Sequence, residues 1–168
     1  MERLFVFIFG LVIGSFLNVL IFRLPTKKSI LGFSKCLHCL KKIAWYDNIP
    51  VISFFILRGR CRSCQATISW QYPLVELLTA FLFLVSFLTY GQNPGFLIYV
   101  LFLISLFIVI AVIDLKHFLI LDNLILAGFI FYLGYSLFVI GYSSFYDSLY
   151  GLLFFAGIYF SIFLMSKG

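Results

Sequence analysis

Four cysteines lie close together in the sequence, and their spacing favours a metal site. They form two C-x-x-C pairs separated by 21 residues, Cys36 with Cys39 and Cys61 with Cys64. Each pair bends the backbone into a knuckle that presents two thiolates, and two knuckles supply a closed tetrahedral zinc site. The pattern C-x-x-C-x-x-x-I-x-W occurs in both halves. We therefore predict one structural zinc in a two-knuckle ribbon, with each Ile and Trp packed beside its own knuckle.

Other chemistries fit the cysteine loop less well. Disulfides would be favoured in an oxidising compartment, whereas the basic loop is predicted to lie in a reducing one. A redox C-x-x-C accompanies a βαβ pattern, which this loop lacks. His38 could replace one thiolate as a ligand, but four sulfurs already complete the site. The positive charge of the loop could also bind nucleic acid. Membrane topology and contact with anionic lipid headgroups explain this charge better. We therefore expect no nucleic-acid partner.

A few polar side chains fall within or beside apolar stretches, where they are costly and therefore functional candidates. Asp114 ends an apolar run, and the alternative is that it marks a helix end and pairs with Lys116. Asp122 is expected to cap the start of the next helix. Glu76 is expected in the first turn of a helix opened by a proline, where a carboxylate suits the dipole. Asn18 is expected to form a hydrogen bond between helices.

The composition excludes an ordinary soluble domain. Hydrophobic residues make up 64% of the 168 residues, aromatic residues 21% and charged residues only 11%. Five apolar runs are long enough to cross a bilayer of about 30 Å. The first is too long for the core of a cleaved signal peptide, which has about 7–15 residues. The predicted spans cover residues 4–22, 74–90, 96–113, 118–140 and 148–165.

The distribution of Lys and Arg predicts the orientation of these spans. Nine of the twelve basic residues lie between residues 23 and 72, with a single acid, Asp47. Because cytoplasmic loops collect Lys and Arg, this loop should be cytoplasmic and the N-terminus outside. We therefore divide the chain into a first transmembrane helix (1–22), a cytoplasmic four-cysteine loop (23–72) and a four-helix membrane region (73–168) that carries Asp114. The predicted fold class is an all-α polytopic membrane protein with a small zinc-ribbon-like loop.

Together these residues resemble the type IV prepilin peptidases. The matching segments, in the family's order, are Gly14-Ser15-Phe16-Leu17-Asn18-Val19, Arg23-Leu24-Pro25, Asn48-Ile49-Pro50, Leu57-Arg58-Gly59-Arg60-Cys61, Ile68-Ser69, Tyr72-Pro73-Leu74-Val75-Glu76, and Ile113-Asp114 with Asp122. The resemblance implies a membrane aspartic endopeptidase of the bacterial cytoplasmic membrane. It would remove the basic leader from prepilins and pseudopilins, and many members also N-methylate the product with S-adenosylmethionine.

The resemblance also implies two catalytic aspartates, of which only one is matched. One activates water as a general base while the other, protonated, polarises the scissile carbonyl. Asp114 matches the first, whereas the second belongs to a Gly-x-Gly-Asp motif that this sequence lacks. Asp147 should lie at the opposite membrane face, and Asp122 is eight residues along a helix, about 12 Å away. The family usually has Pro where Leu121 stands, and this difference affects the rigidity of the turn before Asp122.

Two classes of function follow from this pattern. The first is a prepilin peptidase whose second aspartate comes from a C-terminal complementing segment, so that these residues alone are expected to be inactive. The second is a non-catalytic zinc-loop membrane protein or a prepilin-binding scaffold.

Overall fold

The chain folds into helices joined by one long irregular loop, as described by a computed structural model for residues 1–119, 121–137 and 150. The helices are α1 (Glu2–Arg23), α2 (Ile52–Ile56), α3 (Gln71–Tyr90), α4 (Pro94–His117) and α5 (Asp122–Tyr135). A 3₁₀ turn also covers Trp45–Asn48. By length and composition α1, α3 and α4 can each cross a membrane, and α5 is a shorter apolar helix. The predicted helical membrane fold is confirmed, while Asp147 and the fifth predicted span, apart from residue 150, lie outside the described residues.

The chain divides into two compact units, Met1–Ile125 and Leu126–Gly168. The first unit contains α1, α3 and α4 together with the cysteine loop. In the second unit, the described residues continue α5 as far as Tyr135. The functional candidates lie in the first unit.

Two glycines on one face of α1 allow it to pack closely against α3. A Cβ added to Gly10 would lie 2.6 Å from Ala80 Cα, and one added to Gly14 would lie 2.7 Å from Glu76 Cα. Neither distance is accessible to a residue with a side chain. Small residues four apart let helix backbones approach in membranes, where van der Waals packing replaces the hydrophobic effect as the driving force. This contact brings Glu76 against α1.

The core between the three helices is apolar. Its buried members come from all three, and they are Leu17, Ile21, Val75, Ile108, Val109 and Ile113. Large apolar side chains on the outer faces remain exposed, including Phe5 at 70% and Phe81 at 59%. Side chains of this kind face lipid in a membrane-spanning bundle.

Two helix ends differ from the sequence prediction. Helix α4 does not end at Asp114 but continues to His117, because Leu115, Lys116 and His117 contain no helix breaker. It ends where Phe118 takes a left-handed conformation (φ 51°, ψ 40°) and its N–H bonds the Asp114 carbonyl at 2.8 Å. The fourth predicted span therefore begins at Asp122 rather than at Phe118.

Candidate metal centre and membrane carboxylates

The two cysteine knuckles have the same backbone hydrogen bonds. In the first, Cys36 N–H bonds Lys41 O at 3.0 Å and Leu40 N–H bonds Cys36 O at 3.0 Å. In the second, Cys61 N–H bonds Ala66 O at 2.8 Å and Gln65 N–H bonds Cys61 O at 2.9 Å. An isolated antiparallel bridge closes each knuckle, Lys35 with Lys42 and Arg60 with Thr67. The repeated sequence pattern therefore corresponds to a repeated structure.

One residue in each knuckle adopts the left-handed conformation that glycine usually occupies. Leu40 has φ 59° and the equivalent Gln65 has φ 58°. For a residue with a side chain this conformation costs roughly 1–2 kcal/mol. The turn that follows each cysteine pair is therefore strained, and it needs outside support to persist.

The knuckles bring the four cysteine sulfurs together. All four Sγ atoms lie within 4.8 Å of one another, and Cys36 Sγ is 3.7 Å from Cys64 Sγ. None of the four cysteines forms a disulfide. This cluster has the ligand number and compactness to hold a metal ion such as zinc.

The polar surroundings of the cluster favour ionisation of one thiol first. The backbone N–H groups of Cys39 and His38 lower the pKa of Cys36 to about 6. The N–H of Ala66 would lower the pKa of Cys64, but burial and the neighbouring thiols raise it to about 11. A bound cation would instead lower the pKa of Cys64, because coordinated thiols lose their protons.

An ion pair joins the two halves of the loop. Arg62, between the second pair of cysteines, donates to both carboxylate oxygens of Asp47 at 2.6 and 2.8 Å. These hydrogen bonds lower the pKa of Asp47 and raise that of Arg62. The Arg62 guanidinium also lies 5.4 Å from the Tyr46 ring centre. The single acid of the basic loop therefore links the 3₁₀ turn to the second knuckle.

The two tryptophans do not pack as the repeat predicts. Trp45 is 80% exposed and forms a T-shaped ring pair with Tyr46, with ring centres 5.7 Å apart. Trp70 instead packs on Phe54 of α2, with ring centres 4.8 Å apart. Helix α2, which the sequence did not indicate, supplies this different partner.

Asn18 lies at the junction between α1 and the end of the loop. Its side chain is 2% exposed and donates to the Tyr72 carbonyl at 3.1 Å and to the Gly14 carbonyl at 3.3 Å. Its Oδ1 accepts from Gln71 Nε2 at 3.2 Å. The expected interhelical bond is therefore present, between α1 and the first turn of α3.

Glu76 connects the membrane helices to the loop. Helix α3 begins at Gln71, two residues before Pro73, so Glu76 lies in the second turn and not in the first as predicted. Its side chain is 6% exposed, and its Oε2 accepts from Val51 N–H at 2.7 Å. On the α1 side, Glu76 Cα lies 2.7 Å from the position that a Cβ on Gly14 would take. Glu76 is thus a buried contact between both helices and the segment before α2.

The backbone at Val51 is strained. Val51 has φ 62° and ψ −51°, and Ile52 N–H bonds Pro50 O at 2.6 Å. This is the γ-turn with a positive central φ, which is rare and unfavourable, most of all for a β-branched residue. The Glu76 carboxylate holds the N–H of this turn, and no feature of the sequence indicated the contact.

Asp114 and Asp122 lie on different helices, in the last turn of α4 and at the start of α5, so the expectation that a single helix separates them by about 12 Å is wrong. Asp114 is exposed in the last turn of α4, directly after the fully buried Ile113. It forms no salt bridge with Lys116, although both are described, because residues two apart on a helix do not face each other. Asp122 is the first residue of α5 and is also exposed.

The chain matches a known family over the part that contains these features. The model described as "Bacterial Peptidase A24 N-terminal domain" matches residues 8–90, which include Asn18, Glu76 and all four cysteines. Residues 8–90 of this chain belong to that domain family. No solved structure matches it.

Curated relatives extend the match beyond the family model. The chain is 41% identical over 148 residues to a "Prepilin leader peptidase/N-methyltransferase" of Myxococcus xanthus, covering 88% of this chain and 44% of that protein. It is 37% identical over 146 residues to a Bacillus subtilis protein of the same name, covering 86% and 58%. An Escherichia coli "Type 4 prepilin-like proteins leader peptide-processing enzyme" is 44% identical over 127 residues, covering 64% and 47%.

These matches have two consequences for the site. The Myxococcus match leaves at most 20 residues of this chain outside it, so Asp114 and Asp122 lie within the matched stretch. The chain spans about half the length of the curated relatives it matches. The resemblance to prepilin peptidases that the motifs indicated is thereby confirmed.

Proposed function

We propose that this chain forms the N-terminal part of a prepilin leader peptidase, in which Asp114 is one of two catalytic carboxylates. The observation that supports this is the packing of Ile113 in one core cluster with Ile21 and Val75. Ile21 lies just before the loop leaves α1, and Val75 lies just after the loop enters α3. Asp114 therefore lies at the loop end of the bundle, where a leader junction beside the basic loop would be presented.

Each carboxylate in the proposed reaction has a distinct role. Asp114 would act as the general base that removes a proton from the attacking water. A second, protonated carboxylate would polarise the scissile carbonyl, which requires the two groups to lie roughly 3 Å apart. No Gly-x-Gly-Asp sequence occurs in these 168 residues. We propose that a C-terminal segment with this motif completes the pair.

A prepilin gel-shift assay in a peptidase-deleted host tests the proposal. It compares these 168 residues alone, the same residues joined to a Gly-x-Gly-Asp segment of a close relative, and the joined form with Asp114→Asn. We expect cleavage only by the joined form with Asp114 intact. Cleavage by the joined Asp114→Asn form would remove Asp114 from the mechanism. Prepilin binding without cleavage by any form would favour the scaffold function.

We also propose that the metal in the four-cysteine cluster is zinc with a structural role. With Zn–S bonds of about 2.3 Å, the edge of a tetrahedron is about 3.8 Å, close to the 3.7 Å between Cys36 and Cys64. Four thiolates leave no vacant position for a substrate. Metal analysis should give one zinc per chain, with loss in Cys36→Ser and in Cys61→Ser. Metal-free protein with its cysteines in disulfides would overturn the assignment.

The names of the relatives support N-methylation with S-adenosylmethionine as a further proposed activity. Methyl transfer and peptide hydrolysis require different groups, so we propose that methylation depends on the cysteine loop and not on Asp114. The assay supplies an already processed pilin to the joined form. Methylation should survive Asp114→Asn and be lost when the four cysteines are replaced. The reverse result would overturn this division.

For localisation, we propose the bacterial inner membrane with the N-terminus outside and the cysteine loop in the cytoplasm. The support is the concentration of basic residues in that loop. Single cysteines at Ser29 or Gln92, in a chain with the native cysteines replaced by serine, report exposure to an impermeant reagent on intact cells. We expect labelling at Gln92 only. Labelling at Ser29 only would invert the orientation.

A further inference from the structure

The cysteine loop has an apolar surface that lies outside the three spans. It consists of Ile52, Phe55 and Ile56 on α2, together with Trp70, and is called here the α2 surface. The four side chains are 55%, 59%, 69% and 62% exposed. Loops in contact with water do not usually expose four large apolar side chains side by side.

The arrangement of α2 directs its apolar side chains to two different sides. Ile52, Phe55 and Ile56 are at positions i, i+3 and i+4, so they share one face of the short helix. Phe54 points the other way, is 8% exposed, and packs on Gly59 and on the Trp70 ring. Phe54 therefore anchors α2 to the second knuckle while the other three side chains face outward.

The α2 surface continues the lipid-facing side of α3. Trp70 directly precedes α3, and the exposed side chains one, two, three and four turns further along the same face are Leu74, Leu78, Phe81 and Val85. Phe55 contacts Trp70 with ring centres 6.5 Å apart. A tryptophan at the end of a transmembrane helix is typical of the membrane interface. The same apolar strip thus leads from the bilayer core to α2.

Positive charge borders this surface. A groove of about 890 Å³ between α2 and the second knuckle is lined by Phe54, Phe55 and Trp70 and also by Arg58 and Arg60. Both arginines are exposed and form no salt bridge within the described residues. Aromatic side chains beside unpaired basic groups suit the boundary between acyl chains and anionic headgroups.

We propose that the α2 surface docks into an anionic phospholipid monolayer at the loop end of the bundle. Ile52, Phe55 and Ile56 would enter the upper acyl region, and Arg58 and Arg60 would contact headgroup phosphates. Docking would hold the metal module flat against the membrane, next to the end of α4. The inference depends on the positions of α2 and α3 and not on peptidase activity, so it stands or fails separately from the proposed function.

Tryptophan fluorescence in proteoliposomes tests the docking. The chain has only two tryptophans, Trp45 and Trp70, and both are replaced by phenylalanine. Ile56→Trp then reports on the α2 surface, and Leu37→Trp, which is also an exposed apolar position of the loop at 56%, is the matched control. Zinc content confirms that each variant keeps its loop. The vesicles contain brominated phosphatidylcholine with or without phosphatidylglycerol.

We expect severalfold stronger bromolipid quenching at residue 56 than at residue 37. We also expect quenching at residue 56 to increase with phosphatidylglycerol and to lose this increase in Arg58→Gln/Arg60→Gln. Equal quenching at the two positions would overturn the proposal, as would protection of residue 56 only when a prepilin is added. In the unaltered chain, photoactivatable phosphatidylglycerol should label residues 52–56 and not residues 36–40, which keeps the test valid if the tryptophan variants fail to fold.

Discussion

Removing the Glu76 carboxylate should release the segment before α2 from the membrane helices. In Glu76→Ala the Val51 N–H loses its acceptor at 2.7 Å. A part-buried donor left without a partner costs about 1–3 kcal/mol, which corresponds to roughly a 5- to 150-fold increase in local opening. The positive φ of Val51 adds to the effect, because a strained turn persists only while its surroundings hold it.

Hydrogen exchange measured by mass spectrometry on the full chain in nanodiscs reads this opening directly. Peptides that cover residues 49–57 should exchange faster in Glu76→Ala by about this factor. Glu76→Gln keeps a side-chain oxygen as acceptor and should retain most of the protection. Thr79→Ala is the matched control, because the Thr79 hydroxyl is also buried on α3 but donates to Val75 O within its own helix. Unchanged exchange in Glu76→Ala, or an equal increase in Thr79→Ala, would refute the reasoning.

Three further predictions concern packing, the ion pair and the knuckle turns. Gly14→Ala should lower the thermal midpoint, because its Cβ would lie 2.7 Å from the α3 backbone. Gly134→Ala, which would meet nothing within 4 Å among the described residues, should not, and equal effects would contradict the close approach. Asp47→Asn should lower the free energy of unfolding of the loop at neutral pH, because it removes the ion pair with Arg62. Since Arg62 lowers the pKa of Asp47, this loss of stability relative to wild type should disappear only as the pH falls below about 4. A stability difference between the two proteins that grew as the pH fell would contradict a stabilising Asp47–Arg62 ion pair. Gln65→Gly should relieve about 1–2 kcal/mol of strain in the left-handed conformation, while the added chain entropy of glycine costs about 0.5–1 kcal/mol. The variant should therefore retain zinc slightly longer against a chelator. Faster zinc loss would contradict this prediction.

Much of the site could be predicted from local sequence, and the corrections have local causes. The cysteine cluster follows from spacing, because a C-x-x-C pair forms a knuckle largely through its own backbone. The predicted third span ends four residues before α4 does, because charged residues are a weak stop signal and Asp114, Lys116 and His117 all accommodate a helix. The predicted start of α3 at Pro73 is two residues late, because proline is tolerated within the first turn and not only at its first position.

Contacts between distant segments could not be predicted in the same way. Glu76 and Val51 are 25 residues apart, and their bond depends on where the loop returns to α3. The strain at Val51 has no sequence signal, because valine disfavours the conformation that it adopts. Helix α2 is too short for a periodic pattern, and it is held by the packing of Phe54 on Trp70.

The sequence by itself determined that the chain is a helical membrane protein with a four-thiol cluster and a family resemblance that includes Asp114. Apolar runs of sufficient length and the cysteine spacing act locally, so they can be seen without the fold. Only the tertiary structure decided that Gly10 and Gly14 bring α1 against α3, and that a buried Glu76 holds the strained turn before α2. These features depend on backbone distances between segments far apart in the chain, which no local pattern of residues encodes.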